Sequence, residues 1–152
     1  SETNIIRYLN TIFNIKLGST SAINERLKKE GVINSNIEIN NMGGISHYVV
    51  TIFAETQKVD YFINEVEKEL SNLEITEKEL NRKKKTMISS LIYISDNIYK
   101  LNSKIMNDLI KYKKVLYNSY SEIESLNIEE LKSLLKQINF NNKTIFIIEP
   151  KE

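Results

Sequence analysis

His47 is the sole histidine of the chain, so metal ligation or proton transfer by imidazole would rest on one side chain. A zinc hydrolase takes at least two imidazoles, or an imidazole set with carboxylates, and commonly spaces two of them one helical turn apart. Neither His-x-x-Glu-His nor His-Glu-x-x-His occurs, and His47 reads as a strand histidine on a partly wet face. Cysteine is absent, which excludes a thiolate cluster, a disulfide and a cysteine nucleophile. Glu65, Glu67 and Glu69 are spaced along a polar helix face, and no neighbour in the sequence raises a carboxyl toward the acid–base range. They read as solvated charges, so no paired-carboxylate site follows. Gly43-Gly44 lies between two strands with no following Lys-Ser/Thr, which makes it a turn rather than a phosphate loop. Arg82-Lys83-Lys84-Lys85 points around most of a helix circumference and reads as a solvated face. Tyr93, Tyr99, Tyr112, Tyr117 and Tyr120 fall in a long helical region, where core packing or a partner interface explains them better than base stacking.

The elements that must position these residues follow from the spacing of apolar side chains. Ile5, Ile6, Leu9, Ile12, Phe13 and Leu17 recur every three or four residues and predict a helix over Thr3 to Leu17, ended by Gly18. A short second helix, Ser21 to Glu30, carries Ile23 and Leu27 and closes at Gly31. From Val32 the period becomes two: Ile33, Ile37 and Ile39 alternate with Asn34, Asn36 and Glu38, and Ile45 to Glu55 repeats the pattern. Asn40 to Gly44 between them predicts an antiparallel hairpin with a loop of about five residues. Both faces of the second strand, His47/Val49/Thr51/Phe53 and Tyr48/Val50/Ile52, are expected to be at least partly covered. Val59 to Leu73 is an amphipathic helix. Thr76-Glu77-Lys78-Glu79 is a capping box that opens a long helical run, with a break expected near Ser95-Asp96-Asn97. Ser121-Glu122-Ile123-Glu124 and Asn127-Ile128-Glu129-Glu130 are rival starts for one further helix, and Thr144 to Ile148 suits a covered strand stopped by Pro150. The predicted order is ααββααααβ, an α+β fold with an antiparallel sheet carrying helices on one face.

Composition bounds the rest. The 152 residues are 41% hydrophobic and 27% charged, with 21 Lys+Arg against 20 Asp+Glu. That fits a single domain, residues 1–152, and excludes a strongly basic nucleic-acid module or an acidic tail. No stretch approaches the ~20 apolar residues of a membrane helix. Ser1-Glu2-Thr3-Asn4 lacks the order of a signal peptide, so a soluble, cytoplasmic chain without membrane or nucleic-acid partners is expected.

Several strings resemble the latter part of one domain of the M16 metallopeptidases, the family of insulin-degrading enzyme, pitrilysin and the mitochondrial processing peptidase. Leu17-Gly18-Ser19-Thr20-Ser21 is similar to the family's Leu-Gly turn, and Asn24 to Gly31 to its short helix ending in Lys-x-Gly before a hairpin. Ile75-Thr76-Glu77-Lys78-Glu79-Leu80 resembles the Ile-Thr-x-x-Glu-Leu string that opens the long helices. Leu126-Asn127-Ile128-Glu129-Glu130-Leu131 and Glu149-Pro150 resemble the closing helix and strand, while Arg82 to Lys85 resemble members encoded as paired proteins. The resemblance implies an M16 peptidase/LuxS-like metallohydrolase domain. It further implies a fragment, from the C-terminal part of a longer protein whose two halves close as a clamshell around a peptide substrate. The family's zinc motif sits in the first half, so this chain is expected to hold no cofactor. Zinc belongs to the parent protein or the partner half, the N-terminal catalytic half or a partner subunit. The substrate-contacting Arg and Tyr of many second halves fall on Leu27 and Asn34 here, so neither carries over, and no catalytic, metal or substrate-binding residue is assigned. The alternative is a free-standing interaction domain that scaffolds another subunit; an open sheet edge beside the hairpin would favour the fragment.

Overall fold

A computed structural model describes residues 2–43, 47–72 and 74–149, and its spine is α1 (Glu2–Leu17). The sequence predicts one apolar stripe on this helix, yet Tyr8, Leu9, Thr11, Ile12, Phe13, Ile15, Lys16 and Leu17 are all buried. The helix is covered on two sides because it divides the core. Tyr8, Ile12 and Ile15 face one cluster and Phe13 and Leu17 another. Polar groups on the buried length are satisfied, as burial requires. The Thr11 hydroxyl donates to the Arg7 carbonyl (2.8 Å). The Lys16 ammonium donates to the Glu74 carbonyl (2.8 Å) and pairs with Glu69 (3.1 Å). Gly18 follows the helix at a position only glycine fits, since a Cβ there would lie 2.3 Å from the Asn14 carbonyl oxygen.

Helix α2 (Ala22–Lys29) begins at its Ser21 cap, whose hydroxyl accepts from the Asn24 amide. Gly31 follows at φ 64°, the left-handed conformation that glycine adopts without penalty. Strands β1 (Glu38–Gly43) and β2 (Tyr48–Phe53) pair antiparallel from Glu38↔Phe53 to Gly43↔Tyr48. Two expectations shift here. Residues 32–37 form no strand, because their backbone groups find other partners. The Val32 amide bonds the Leu27 carbonyl (2.9 Å), the Val32 carbonyl accepts from the Thr56 hydroxyl (2.6 Å), and the Ile37 amide donates to the Asn24 side chain (2.8 Å). Asn40 to Gly43, expected in the loop, instead belong to β1. The Tyr48 hydroxyl, donating to the side-chain oxygen of Asn10 (2.7 Å) or Asn41 (2.8 Å), anchors this asparagine-rich stretch in the ladder. The connection is thus residues 44–47, of which Gly44, Ile45 and Ser46 lie outside the described residues. Ile39, Tyr48, Val50 and Ile52 face the second core cluster with Leu27, Ile37 and Val66. The opposite face, Val49 and Phe53 included, is half exposed rather than covered.

Helix α3 (Val59–Ser71) packs Val66 inward; Leu73, expected to close it, lies outside the described residues. The Thr76/Glu79 capping box forms at the start of α4 (Glu77–Ser95), and the expected break occurs at Asp96 and Asn97 before α5 (Ile98–Tyr112). Two helices form where one was expected, α6 (Ser119–Glu124) and α7 (Ile128–Leu135); Asn127 caps the second, whereas Ser121 falls inside the first, which starts at Asn118 without a side-chain cap. The last predicted element is corrected too. Residues 143–149 run without any ladder partner among the described residues, leaving Phe146 84% and Ile148 96% exposed. Pro150 lies outside them. The order is therefore ααββααααα, still an α+β fold with helices on one face of an antiparallel sheet, here of two strands.

Candidate functional site

The residues with chemical potential do not converge. His47 stands exposed just before β2. Glu65, Glu67 and Glu69 are not free charges: Glu65 pairs with Arg26 of α2, Glu67 with Lys143 and Glu69 with Lys16. They fasten α3 to α2, to the final segment and to α1 respectively. The basic run on α4 is divided, with Arg82 and Lys85 exposed and Lys83 and Lys84 half-buried. The Arg82 guanidinium donates to the Thr20 carbonyl (3.2 Å), the Lys84 ammonium to the Glu124 carbonyl (2.7 Å), and burial pushes the Lys83 ammonium below its ordinary range. Gly43 closes β1, and Gly44 lies outside the described residues. Leu27 is fully buried and Asn34 exposed, so the two positions aligned with the family's substrate contacts do not share a surface.

Sequence reasoning missed the polar links that hold the elements in place. Arg26 sits between Glu30 and Glu65, and the Tyr61 hydroxyl donates to Glu30 (3.1 Å). The Glu65 carboxylate holds the Arg26 guanidinium above its ordinary range. Arg7 donates to the Ser119 carbonyl (3.0 Å) and pairs with Glu122 (2.6 Å), joining α1 to α6. Asp108, buried on α5, accepts from Lys104 (2.6 Å) and from the Leu116 amide (3.2 Å) and so fixes the turn after that helix. Only the i to i+4 spacings of Arg26 with Glu30 and of Lys104 with Asp108 could have been read beforehand.

Two hydroxyls at the α1 boundary are kept protonated by the fold. Burial pushes Tyr48 well above the ordinary tyrosine range. Burial, aided by a hydrogen bond to Glu130, pushes Tyr8 up to about 12. Unfolded tyrosine ionises near pH ~10. The stability these groups contribute is therefore whole below that pH and is lost as pH rises from there through their folded values. The urea midpoint is expected to fall steeply above about pH 10 and less steeply in Tyr48→Phe. Tyrosinate absorbance of the eight tyrosines checks this: part of the ionisation should coincide with unfolding, and complete ionisation in the still-folded chain would refute it.

The donor set among the described residues does not fit a metal. Zinc needs a converging set of imidazole, thiolate or carboxylate ligands. Among the described residues no three His, Cys, Asp or Glu side chains come together in such a set. What the chain presents instead is unpaired backbone and apolar surface. Among the described residues both outer edges of the β1–β2 hairpin are open, its outer face shows Met42, Val49 and Phe53, and segment 143–149 pairs with no strand. No described helix is long and apolar enough to cross a membrane.

A helix-backed antiparallel hairpin, with a buried helix before it and a run of helices after it, has the fold of a domain of M16-like peptidases. The solved structures it resembles make this concrete. One, described as an M16-like peptidase, comes from Alicyclobacillus acidocaldarius and matches 88% of this chain with a TM-score of 0.78 at 13% identity. Another is the periplasmic protease PqqL from Escherichia coli, matching 88% of this chain with a TM-score of 0.62 at 19% identity. The chain spans 33% of the first protein's length and 16% of the second's. No protein-family model and no curated protein matches the sequence.

Proposed function

We propose that this chain is a non-catalytic domain of an M16-like zinc metallopeptidase and forms part of the wall enclosing a peptide in a two-half clamshell. The observation that carries this reading is the likeness across 88% of the chain to an M16-like peptidase three times its length. The open hairpin edges and the orphan extended segment support it, since unpaired edges are costly to leave exposed and are completed by further strands in larger sheets. In this reading hydrolysis belongs to a catalytic half, whose zinc would supply an activated water. This chain contributes shape and exclusion of water, with no residue at the reacting atoms.

The purified chain is expected to carry only substoichiometric zinc and to leave peptides intact. Metal-dependent cleavage should arise on adding the chain that bears His-x-x-Glu-His from the same source. Stoichiometric zinc, or metal-dependent cleavage by this chain alone, would overturn the proposal. So would a full coding sequence with no M16-like segment and no M16-like partner.

A further inference from the structure

Helix α5 is apolar on two sides, and only one of them is covered. Leu101, Lys104, Ile105, Asp108 and Tyr112 are partly or fully buried, and α4 is the element this helix chiefly packs against. On the other side Tyr99, Met106 and Ile110 recur at intervals of seven and four, which puts them on one face of a helix. Ile98 and Leu109 run alongside. Ile98 is 71% exposed, Tyr99 82% and Ile110 64%. Ile92 and Tyr93, exposed at the end of α4, extend the patch around the turn. A helix apolar all round is normally a buried one, and contiguous exposed apolar surface marks a contact site.

Charge indicates what covers it. Residues 77–116 hold ten Lys or Arg against four Asp or Glu, whereas the rest of the chain holds eleven against sixteen. Between Asn97 and Leu116 there are five lysines and one acid, Asp108, which Lys104 already occupies. Lys113 and Lys114 stand exposed just past the C-terminal end of the stripe. A second copy of this chain would bring like charges together along the same face. A lipid surface fits less well, because Asn102, Ser103 and Asn107 interleave the stripe with neutral hydrogen-bonding groups that acyl chains would leave without partners. The Lys100 ammonium is also drawn onto the Tyr93 ring, 3.7 Å from its centroid.

We propose that the outer face of α5 is a docking site for an acidic amphipathic helix of a partner polypeptide. Its apolar side lies along Tyr99, Met106 and Ile110, and its carboxylates lie near Lys113 and Lys114. At 1.5 Å per residue the stripe from Ile98 to Ile110 is about 18 Å long, which matches three to four turns of partner helix. The site does not depend on the peptidase reading, and its test involves neither zinc nor cleavage.

The probe is a fluorescent synthetic helix of about 14 residues with leucine on one face and glutamate on its flanks, set against the same peptide with lysine for glutamate. Fluorescence anisotropy is expected to give micromolar binding of the glutamate peptide, about tenfold or more weaker binding of the lysine peptide, and weakening with added salt. Met106→Glu/Ile110→Glu should reduce binding by more than about tenfold with unchanged circular dichroism and Tm, because both side chains are exposed. Lys113→Glu/Lys114→Glu should remove the preference for glutamate, which tests the charge arm separately. Equal binding of the two peptides, no binding of either, or binding indifferent to Met106→Glu/Ile110→Glu would overturn the proposal. So would a dimer that the same double substitution dissociates, or sedimentation with phosphatidylserine vesicles in the absence of peptide binding.

Discussion

Replacing Leu27 with Arg is expected to unfold the chain. Leu27 has no exposed surface and lies in the core cluster of Phe13, Leu17, Ile23, Ile37 and Val66. Removing a buried leucine alone costs about 3 to 5 kcal/mol. The guanidinium that replaces it stays charged at any accessible pH, and a buried unpaired ion costs several kcal/mol even after relaxation. Glu30 beside α2 and Glu65 on α3 are already engaged by Arg26. The combined loss, upward of about 5 kcal/mol, is as large as the whole stability of many domains. Leu27→Met, which conserves volume, should cost less than about 1.5 kcal/mol. Urea unfolding followed by circular dichroism checks both; a cooperative Leu27→Arg transition near that of Leu27→Met would refute the argument. The result bears on function because the resemblance places a substrate-contacting Arg at this position. Here the position points into the core, so any grip on a peptide by this chain must come from other residues.

Local signals were legible in the sequence where a few adjacent residues decide the outcome. The Thr76/Glu79 box, the Ser21 cap and the break before Ile98 all appear as expected, because each rests on side chains that satisfy amides three residues or fewer away. Features decided by distant partners were not legible. Periodicity marked an apolar stripe on α1 but could not reveal that Tyr8 and Phe13 would serve separate clusters. Ser121 and Asn127 offer rival caps for one helix, yet Ile123 and Leu131 each need a buried seat, so two helices form and Ser121 falls inside the first. Thr144 to Ile148 has the composition of a covered strand, and composition cannot supply the neighbouring strand that a ladder requires. The candidate site divides in the same way. The missing zinc motif was plain from residue types, whereas the exposure of Tyr99 and Ile110 depends on which of two apolar faces of α5 meets α4.

Asn24 is the clearest case of a residue whose importance lies outside sequence patterns, and its loss is expected to be severe. In an eight-residue helix an asparagine reads as a polar surface position, yet only 1% of Asn24 is exposed. Its amide nitrogen donates to the Ser19 carbonyl (3.0 Å) and to the Asn36 side chain (3.0 Å), and its oxygen accepts from the buried Ile37 amide (2.8 Å). One side chain therefore ties the turn before α2 to the chain entering β1. Asn24→Ala removes all three bonds and leaves the Ile37 amide without a partner, at about 1 to 3 kcal/mol for that group alone and about 3 kcal/mol or more in total. Asn36→Ala removes one exposed end of the same network and should cost under about 1 kcal/mol. Native-state hydrogen exchange separates this account from a general loss of packing. The Ile37 amide should lose protection in Asn24→Ala well beyond the global change and retain it in Asn36→Ala. A uniform loss across all amides, or equal costs for the two variants, would show that the hairpin is held against α2 by apolar contact alone.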